Sequence, residues 1–434
     1  MAANDNLWAS RVIAVLKVVA LFAALDAFFV SIGLLGAFKD LGKGYGAELI
    51  QELAGNPFIG LMLGVLVTSV IQSSSTTTSI VVGLVAAGSF GSDHARALEL
   101  AIPIIMGANV GTSITNLLVS LAHIGNRKEF ERAFSCAVVH DFFNLMAVAI
   151  FLPLQQMTGF LGKLSLSLAE AFEEIGGGTF TSPLKLATKP QISSVKAMFA
   201  SNPMLVDLIV LFIAFLALLM AIRFITGPQR DQGRRPLLVY MVAAGAAGMT
   251  TLGKHYSGLL FSHQMATFLF GLTVLFLSLF LIVRIMKSVV LIRIESLFHS
   301  VLFKSAPRAM LVGVLMTALV QSSSVTTSLV VPLAGAGLLN IFQIFPYTLG
   351  ANVGTTITAI LAALAAGEVT GIAVAFAHLM FNVLGIAVIY PFKRIPIGMA
   401  TGLAKLSLKS KAYPVAFVLG MYLVVPSILI FVFG

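Results

Sequence analysis

Long apolar runs separated by short polar segments follow one another along almost the whole chain. An apolar helix of about 20 residues is long enough to cross a hydrocarbon layer about 30 Å thick. The short alternating segments typical of a membrane β-barrel are not evident. The pattern therefore predicts an all-α polytopic membrane protein with spans over residues 11–36, 98–122, 130–152, 204–226, 236–252, 261–284, 340–366, 370–391 and 413–433.

Two further apolar stretches are each interrupted by the polar sequence Gln-Ser-Ser-Ser. The arm that precedes the first, residues 57–71, would form a helix of about 22 Å, too short to cross the bilayer. We expect residues from about 57 to 88 and from about 308 to 337 to form re-entrant helical hairpins. Polar backbone at membrane depth is tolerated only where protein or a water-filled cavity surrounds it.

These two stretches are copies of each other. Residues 64–88 and 313–337 share 16 identical positions out of 25. The sequence Gly-Ala-Asn-Val-Gly-Thr then occurs at Gly107 and again at Gly350, and a His-x-x-x-Asn pair follows at His140 and at His378 (reaching Asn144 and Asn382). Three matched blocks in one order indicate an internal duplication.

Basic residues indicate how the two copies are oriented. They cluster in four short segments, which contain Arg127, Lys128 and Arg132; Arg223, Arg230, Arg234 and Arg235; Arg284, Lys287, Arg293, Lys304 and Arg308; and Lys393 and Arg394. All four lie on the cytoplasmic side if the hairpins do not cross the membrane. The span 236–252 then inverts the second half.

This topology predicts two inverted repeats, the architecture of a secondary transporter. We place the first repeat at residues 1–226, a connecting segment with the extra span at 227–260, and the second repeat at 261–434. Residues 155–200 are expected to form an external amphipathic segment plus a loop, and residues 287–306 an interfacial helix.

Composition narrows the class of protein. Hydrophobic residues make up 58% of the 434 positions and charged residues 10%, with mean hydropathy +1.01. So few charges cannot cover a soluble protein, which excludes a soluble enzyme and a nucleic-acid binder. We attribute the net charge of +10 to cytoplasmic loops. The single cysteine, Cys136, can form no internal disulfide.

The hairpin tips carry the first candidate chemistry. The second helix of each hairpin would begin with free backbone N–H groups, which suit an anion, and serine hydroxyls add donors. Neutral oxygens from Gln, Ser, Thr and Asn favour a hard cation such as Na⁺. The alternative is that the serines and threonines only allow close helix packing or bond to their own helix.

The two Gly-Ala-Asn-Val-Gly-Thr blocks contain the second group of candidate functional residues. Their glycines are expected to let a span unwind in each half, within residues 98–122 and 340–366. Such interrupted spans would present side-chain oxygens from Asn109, Thr112, Thr115, Asn352, Thr355 and Thr358. The alternative is a face of small residues on which another helix packs.

Asp141 is the third candidate. It is an acid in an apolar run, and the second half has Leu379 in its place. An intramembrane carboxylate favours a functional role, here sodium coordination or charge compensation, against an acid that pairs with arginine. His140 and Asn144 share a helix face. Asp26 and Asp207 also lie within spans, and their roles stay open.

At these residues the chain resembles the type II sodium–phosphate cotransporter family, which has paired QSSS hairpins, GANxGT blocks and an HDFFN stretch like His140–Asn144 here. The resemblance covers residues from about 60 to 155 and from about 308 to 410. Two departures from the family pattern matter. The cysteine-bearing external loop of animal members is absent, which implies a bacterial-type member, and no soluble domain like that of some bacterial relatives follows Phe433.

The resemblance also implies roles for residues. Gln72, Ser73, Ser74 and Ser75 match substrate positions, as do Ser322, Ser323 and Ser324, and Asn109 and Asn352 are added to the phosphate site from their place in the spans. Gln321, Ser322, Thr355 and Thr358 match sodium positions. Asp141 implies electrogenic transport and a further sodium ion, for which Thr112, Thr115 and Asn144 are candidates.

The leading hypothesis is thus a Na⁺-coupled phosphate symporter of the cytoplasmic membrane, with sodium as the co-transported ion and no organic cofactor. Its partners would be phosphate, sodium and the lipid bilayer, with no nucleic acid, and a homodimer is left open. The alternatives are a carrier of sulfate, arsenate or a small carboxylate, an anion channel, or a sensor-like membrane protein. An enzyme is disfavoured because no nucleophile–base or metal constellation is evident.

Overall fold

The computed structural model describes residues 2–38, 45–175, 183–202, 262–294, 305–410 and 412–433, and within these ranges the regular secondary structure is helical, without a strand. The helices are α1 Ala2–Leu35, α2 Tyr45–Ala54, α3 Pro57–Ile71, α4 Ser74–Ala86, α5 His94–Thr112, α6 Ile114–Leu121, α7 Arg127–Thr158, α8 Phe160–Ile175, α9 Pro183–Ser201, α10 His263–Ile294, α11 Ala306–Val320, α12 Ser323–Gly335, α13 Ile341–Ala366, α14 Val369–Ile389, α15 Arg394–Ser407, α16 Ala412–Leu419 and α17 Val425–Phe433.

Seven helical segments among the described residues are long and apolar enough to cross a membrane. They are Val15–Phe38, His94–Leu121, Arg127–Thr158, His263–Ile282, Ile341–Ala366, Val369–Phe392 and Ala412–Phe433. Each corresponds to one of the nine predicted spans, and the other two, 204–226 and 236–252, lie outside the described residues. The chain is a multi-pass α-helical membrane protein.

The arms on either side of each Gln-Ser-Ser-Ser sequence are short helices, as predicted. In the first half α3 has 15 residues and α4 has 13, and α11 and α12 have the same lengths in the second. Each pair ends and restarts at the predicted tip. Their re-entrant path through a bilayer and the inverted orientation of the repeats stay predictions, as do the boundaries of the repeats.

The predicted interruption of a span at each Gly-Ala-Asn-Val-Gly-Thr block is wrong in the second half. There α13 runs unbroken from Ile341 to Ala366. In the first half the break between α5 and α6 falls at Ser113, just after the block. The glycines serve close packing instead, which is the alternative interpretation.

The contacts of Gly107 and Gly350 show the physical reason. A Cβ at Gly107 would lie 1.9 Å from the carbonyl oxygen of Leu61 on α3, and a Cβ at Gly350 would lie 1.9 Å from that of Met310 on α11. The first arm of each hairpin therefore packs backbone to backbone along the helix that carries the block. Such close approach is the usual role of small residues between membrane helices.

Two peripheral predictions also change. Much of the loop expected within 155–200 is helical, since α9 spans Pro183–Ser201, while residues 176–182 lie outside the described part. Of the interfacial helix expected over 287–306, residues 287–294 instead continue α10, and residues 295–304 lie outside the described part. The core of the described fold lies around α5 and α13, with α3 and α11 alongside them.

Candidate functional site

Each hairpin tip is built on a glutamine in a left-handed backbone conformation. Gln72 has φ 58° and Gln321 has φ 57°, and among the described residues they are the only non-glycine residues with positive φ. Each stands just past the end of a helix, where glycine is the usual residue. A side chain held there at a conformational cost of about 1–3 kcal/mol is typical of a functional site.

The serine after each glutamine caps the second helix. The hydroxyl of Ser73 accepts the backbone N–H of Thr76 at 3.2 Å, and the hydroxyl of Ser322 accepts that of Val325 at 3.4 Å. The remaining N–H groups of the first turn, which include those of Ser74 and Ser323, have no partner within an α-helix. Each tip therefore offers an N-terminus suited to an anion, as predicted from the sequence.

Serine hydroxyls surround these N-termini. Ser74, Ser75 and Ser323 are almost fully buried, and within the described part of the chain their hydroxyls form no hydrogen bond. They remain available to a ligand, whereas a serine used only for packing would bond back to its own helix.

The two tips touch. The hydroxyl of Ser324, on the second hairpin, donates to the backbone carbonyl of Gln72, on the first, at 3.4 Å. This contact joins residues 252 positions apart, so both helix N-termini belong to one polar region. The predicted substrate residues of the two QSSS sequences are thereby brought together.

A threonine pair closes each hairpin below its tip. Thr68 and Thr77 join α3 to α4 with hydroxyl oxygens 2.9 Å apart, and Thr317 and Thr326 join α11 to α12 at 2.7 Å. The pairs occupy equivalent places in the repeat, and all four residues are buried. Sequence reasoning did not single them out, although their repetition at a constant offset was a signal that could have found them.

The predicted sodium residues of the second half are partly connected. The hydroxyl of Thr358 donates to the side-chain oxygen of Gln321 at 2.8 Å, which ties α13 to the second tip. Thr355 lies on the same face one turn earlier, although its hydroxyl donates to the carbonyl of Ala351 at 3.0 Å. Ser322 caps the adjacent helix, so the four residues border one tip.

The equivalent residues of the first half are arranged differently. The side chain of Gln72 is exposed, and the hydroxyl of Thr115 is buried without a hydrogen-bond partner in the described structure. Thr112 donates to the carbonyl of Ala108 at 2.9 Å, as Thr355 does in its own helix. The set predicted for a further sodium ion (Thr112, Thr115, Asp141 and Asn144) is not joined by direct hydrogen bonds.

The asparagine of each Gly-Ala-Asn-Val-Gly-Thr block pairs with the histidine of the other half. Nε2 of His140 lies 2.7 Å from Oδ1 of Asn352, and Nε2 of His378 lies 3.3 Å from Oδ1 of Asn109. Asn144 reaches both blocks, since it donates to the carbonyl of Asn109 at 2.8 Å and accepts from Asn352 at 3.0 Å. The sequence indicated these residues but not their crossed partners.

Asp141 is completely buried on α7. One carboxylate oxygen accepts the hydroxyl of Ser113 at 2.6 Å, and the other has no protein partner among the described residues. No arginine pairs with Asp141 in the described structure, which leaves an oxygen open to a cation. The sequence did not indicate Ser113 or the Tyr422 hydroxyl, which lies 3.0 Å from the Ser113 hydroxyl. It also did not indicate a separate contact between the halves, in which Thr327 donates to Asn116 at 2.9 Å.

The two other acids in spans have different outcomes. Asp26 on α1 is exposed and accepts a hydrogen bond from Gln191 at 3.4 Å, so it lies apart from the tips. Asp207 lies outside the described residues.

Comparisons with known proteins add an independent result. The family model for Na⁺/Pi-cotransporters matches residues 28–172 and 274–408. The chain is similar to sodium-dependent phosphate transport protein 2A of rat, with 35% identity over 96% of this chain and 67% of the relative. It is also similar to protein 2B of human, with 34% identity over 94% of this chain and 64% of the relative. No solved structure matches.

Proposed function

Because the chain belongs to the Na⁺/Pi-cotransporter family, we propose that it imports inorganic phosphate together with sodium ions across the cell membrane. The observation that carries the proposal is the contact between the two hairpin tips, Ser324 to the carbonyl of Gln72. It supports a single anion site to which both serine-rich helix N-termini contribute, accessible in turn from either side of the membrane.

Phosphate recognition in this site would rely on neutral groups. No lysine or arginine occurs within residues 64–88 or 313–337. The hydroxyls of Ser74, Ser75 and Ser323 and the first N–H groups of α4 and α12 would donate to the phosphate oxygens. Asn109 and Asn352 were also predicted as phosphate ligands, but their side-chain oxygens pair with His378 and His140 of the other half, so we assign them to the contact between the halves.

Sodium would supply the positive charge that the protein lacks. A divalent anion that enters against a negative interior costs about 2.3 kcal/mol per charge per 100 mV, so co-entering cations must offset its charge. Gln321, Ser322, Thr355 and Thr358 offer the neutral oxygens of one sodium site. The free oxygen of Asp141 would bind a further ion, and this ion would make transport electrogenic.

The test is uptake of ³²P-labelled phosphate into proteoliposomes, with an inward sodium gradient or with sodium replaced by choline. We expect rapid accumulation only with sodium. Phosphate flux that does not depend on sodium would contradict symport and indicate a channel. Sulfate or a carboxylate that competes better than unlabelled phosphate would overturn the substrate assignment.

Two variants refine the same assay. Ser75→Ala and Ser323→Ala each remove one hydroxyl from the anion site, and a hydrogen bond to a charged group is worth about 1.5–3 kcal/mol. We expect the KM for phosphate to rise roughly tenfold or more. The matched control is Ser194→Ala, which changes an exposed serine on α9. An unchanged phosphate KM in both tip variants would remove the tips from the substrate site.

A further inference from the structure

Asp141 is linked through one hydroxyl to the last helical segment of the chain. Ser113 lies at the break between α5 and α6, with its Oγ 2.6 Å from a carboxylate oxygen of Asp141 and 3.0 Å from the hydroxyl oxygen of Tyr422. Residues 113 and 422 are 309 positions apart in the sequence. All three side chains are completely buried.

Hydrogen-bond chemistry fixes the direction of this chain of contacts. Ser113 has one hydroxyl proton, and both the Asp141 carboxylate and the carbonyl of Val110, at 3.0 Å, could accept it. A carboxylate that binds sodium is ionised, and it is also nearer to Ser113 than the carbonyl is, which makes it the stronger acceptor. Tyr422 must then donate its own proton to Ser113. This second bond holds the Ser113 oxygen in place and polarises its O–H towards Asp141.

The local backbone presents Tyr422 for this contact. Residues Gly420–Val424 form a π-helical turn between α16 and α17. Such a turn inserts one extra residue into a helix and is frequent at functional sites. Much of this last span is exposed at the surface, yet Tyr422 is completely buried. α17 also packs against α3, the first arm of hairpin one.

The arrangement occurs in one half only. The counterpart of Asp141 is Leu379, and the counterpart of Ser113 is Thr356, whose hydroxyl donates to the carbonyl of Val353 in its own helix at 2.7 Å. A packing role for Tyr422 would need no hydroxyl. Tyr422 comes from the second half, yet its hydroxyl contacts the serine of the half that carries the acid, which ties the tyrosine to the acid.

We propose that Tyr422 is a positioning residue for the sodium site at Asp141. It orients Ser113, Ser113 orients the carboxylate, and the second carboxylate oxygen is thereby aimed at the ion. The hydrogen bonds around a ligand typically change metal affinity 10- to 100-fold when removed. Because the last helical segment also contacts α3, a movement of hairpin one would shift Tyr422 and thereby change the sodium site. This inference rests on the proposed function.

The experiment compares Tyr422→Phe, which removes only the hydroxyl, with the unchanged protein in proteoliposomes. We expect the apparent KM for sodium to rise about tenfold, while the KM for phosphate at saturating sodium changes less than twofold. In an Asp141→Asn background, Tyr422→Phe should have no further effect. Tyr413→Phe, an exposed tyrosine on the same span, is the matched control.

A sodium KM unchanged by Tyr422→Phe, or an effect that persists in full in the Asp141→Asn background, would overturn the inference. If Tyr422→Phe does not fold, Ser113→Ala breaks the same link from its middle and carries the same expected and overturning results. Sodium-induced thermal stabilisation without phosphate is measured in parallel. It tests Tyr422 even if the unchanged protein fails to transport phosphate, a failure that would defeat the proposed function alone.

Discussion

The two hairpins have the same backbone but use their polar side chains differently. Both tips place a glutamine at φ near 57° and a serine cap after it. In the second hairpin Gln321 is bonded to Thr358, whereas in the first Gln72 is exposed and the hydroxyl of Thr115 has no partner among the described residues. The acid Asp141 also lies in the first half alone. The halves therefore share the backbone and serine caps of the proposed anion site, and they differ in the residues proposed to bind sodium.

The shared frame is tested most severely at its glycines. Gly107→Ala and Gly350→Ala each place a methyl group 1.9 Å from a backbone oxygen, which cannot move aside as a flexible side chain would. We expect the free energy of unfolding of both variants to fall by about 3 kcal/mol or more, so that neither yields a folded transporter. Fluorescence-detected size-exclusion chromatography measures the yield.

The control for this test is Gly398→Ala on α15, where no atom lies within 4 Å of an added methyl group. It should fold normally. A folded, active Gly350→Ala beside an unfolded Gly107→Ala would show that the two halves do not share this contact after all.

The difference between the halves is tested at the acid. Asp141→Asn keeps the shape of the side chain and removes its charge, so we expect the apparent sodium affinity to fall at least about tenfold and the charge moved per phosphate to drop. Currents recorded together with phosphate uptake measure both. Asp26→Asn, which changes an exposed acid, is the control.

The same comparison has a reciprocal variant. Leu379→Asp puts an acid at the equivalent place of the second half, where the hydroxyl of Thr356 donates to a carbonyl of its own helix. It should not restore sodium affinity to Asp141→Asn. Restoration would mean that the acid alone, and not its surroundings, makes the site.

A smaller effect should separate the two glutamines. Glycine accepts the left-handed backbone without strain, so Gln321→Gly and Gln72→Gly remove only the side chains. Gln321 is a candidate sodium ligand whose side-chain oxygen accepts a hydrogen bond from Thr358. Gln321→Gly should therefore raise the sodium KM about tenfold, since one hydrogen bond is worth about 1 kcal/mol. The side chain of Gln72 is exposed, so Gln72→Gly should change the sodium KM less than threefold. Equal effects of the two variants on the sodium KM would erase the distinction.

The smallest effect is expected at the threonine pairs, where the halves are alike. Thr68→Val and Thr317→Val each remove one buried hydrogen bond worth about 1 kcal/mol, so both should lower Tm by about 2 °C. The comparison would be weakened if one variant lowered Tm several degrees more than the other.

Much of the architecture was predictable because it follows from apolar length. The seven described spans and the short arms on either side of Gln72 and Gln321 all lie where the sequence places them. The unbroken helix at Gly350 was not predictable from the conformational freedom of glycine alone. A glycine permits both unwinding and close packing, and only the position of Met310 on the neighbouring arm shows which one occurs.

The candidate site was predictable in its residue types but not in its pairings. Asn109, Asn352, His140 and His378 stood out as repeated polar residues in apolar runs. Their crossed partners depend on how two distant halves meet, which no local pattern records. Tyr422 gave only a weak signal, since one tyrosine in an apolar span is common at a membrane interface.

The crossed pairs between histidines and asparagines also constrain how the protein is made. Asn109 is synthesised 269 residues before its partner His378, an interval of roughly ten seconds to one minute at about 5–20 residues per second. During that time the first half holds a buried amide that lacks its native partner. Assembly of this transporter is therefore a step that follows insertion, and a chain truncated before α14 would present cellular quality control with unpaired polar groups inside the membrane.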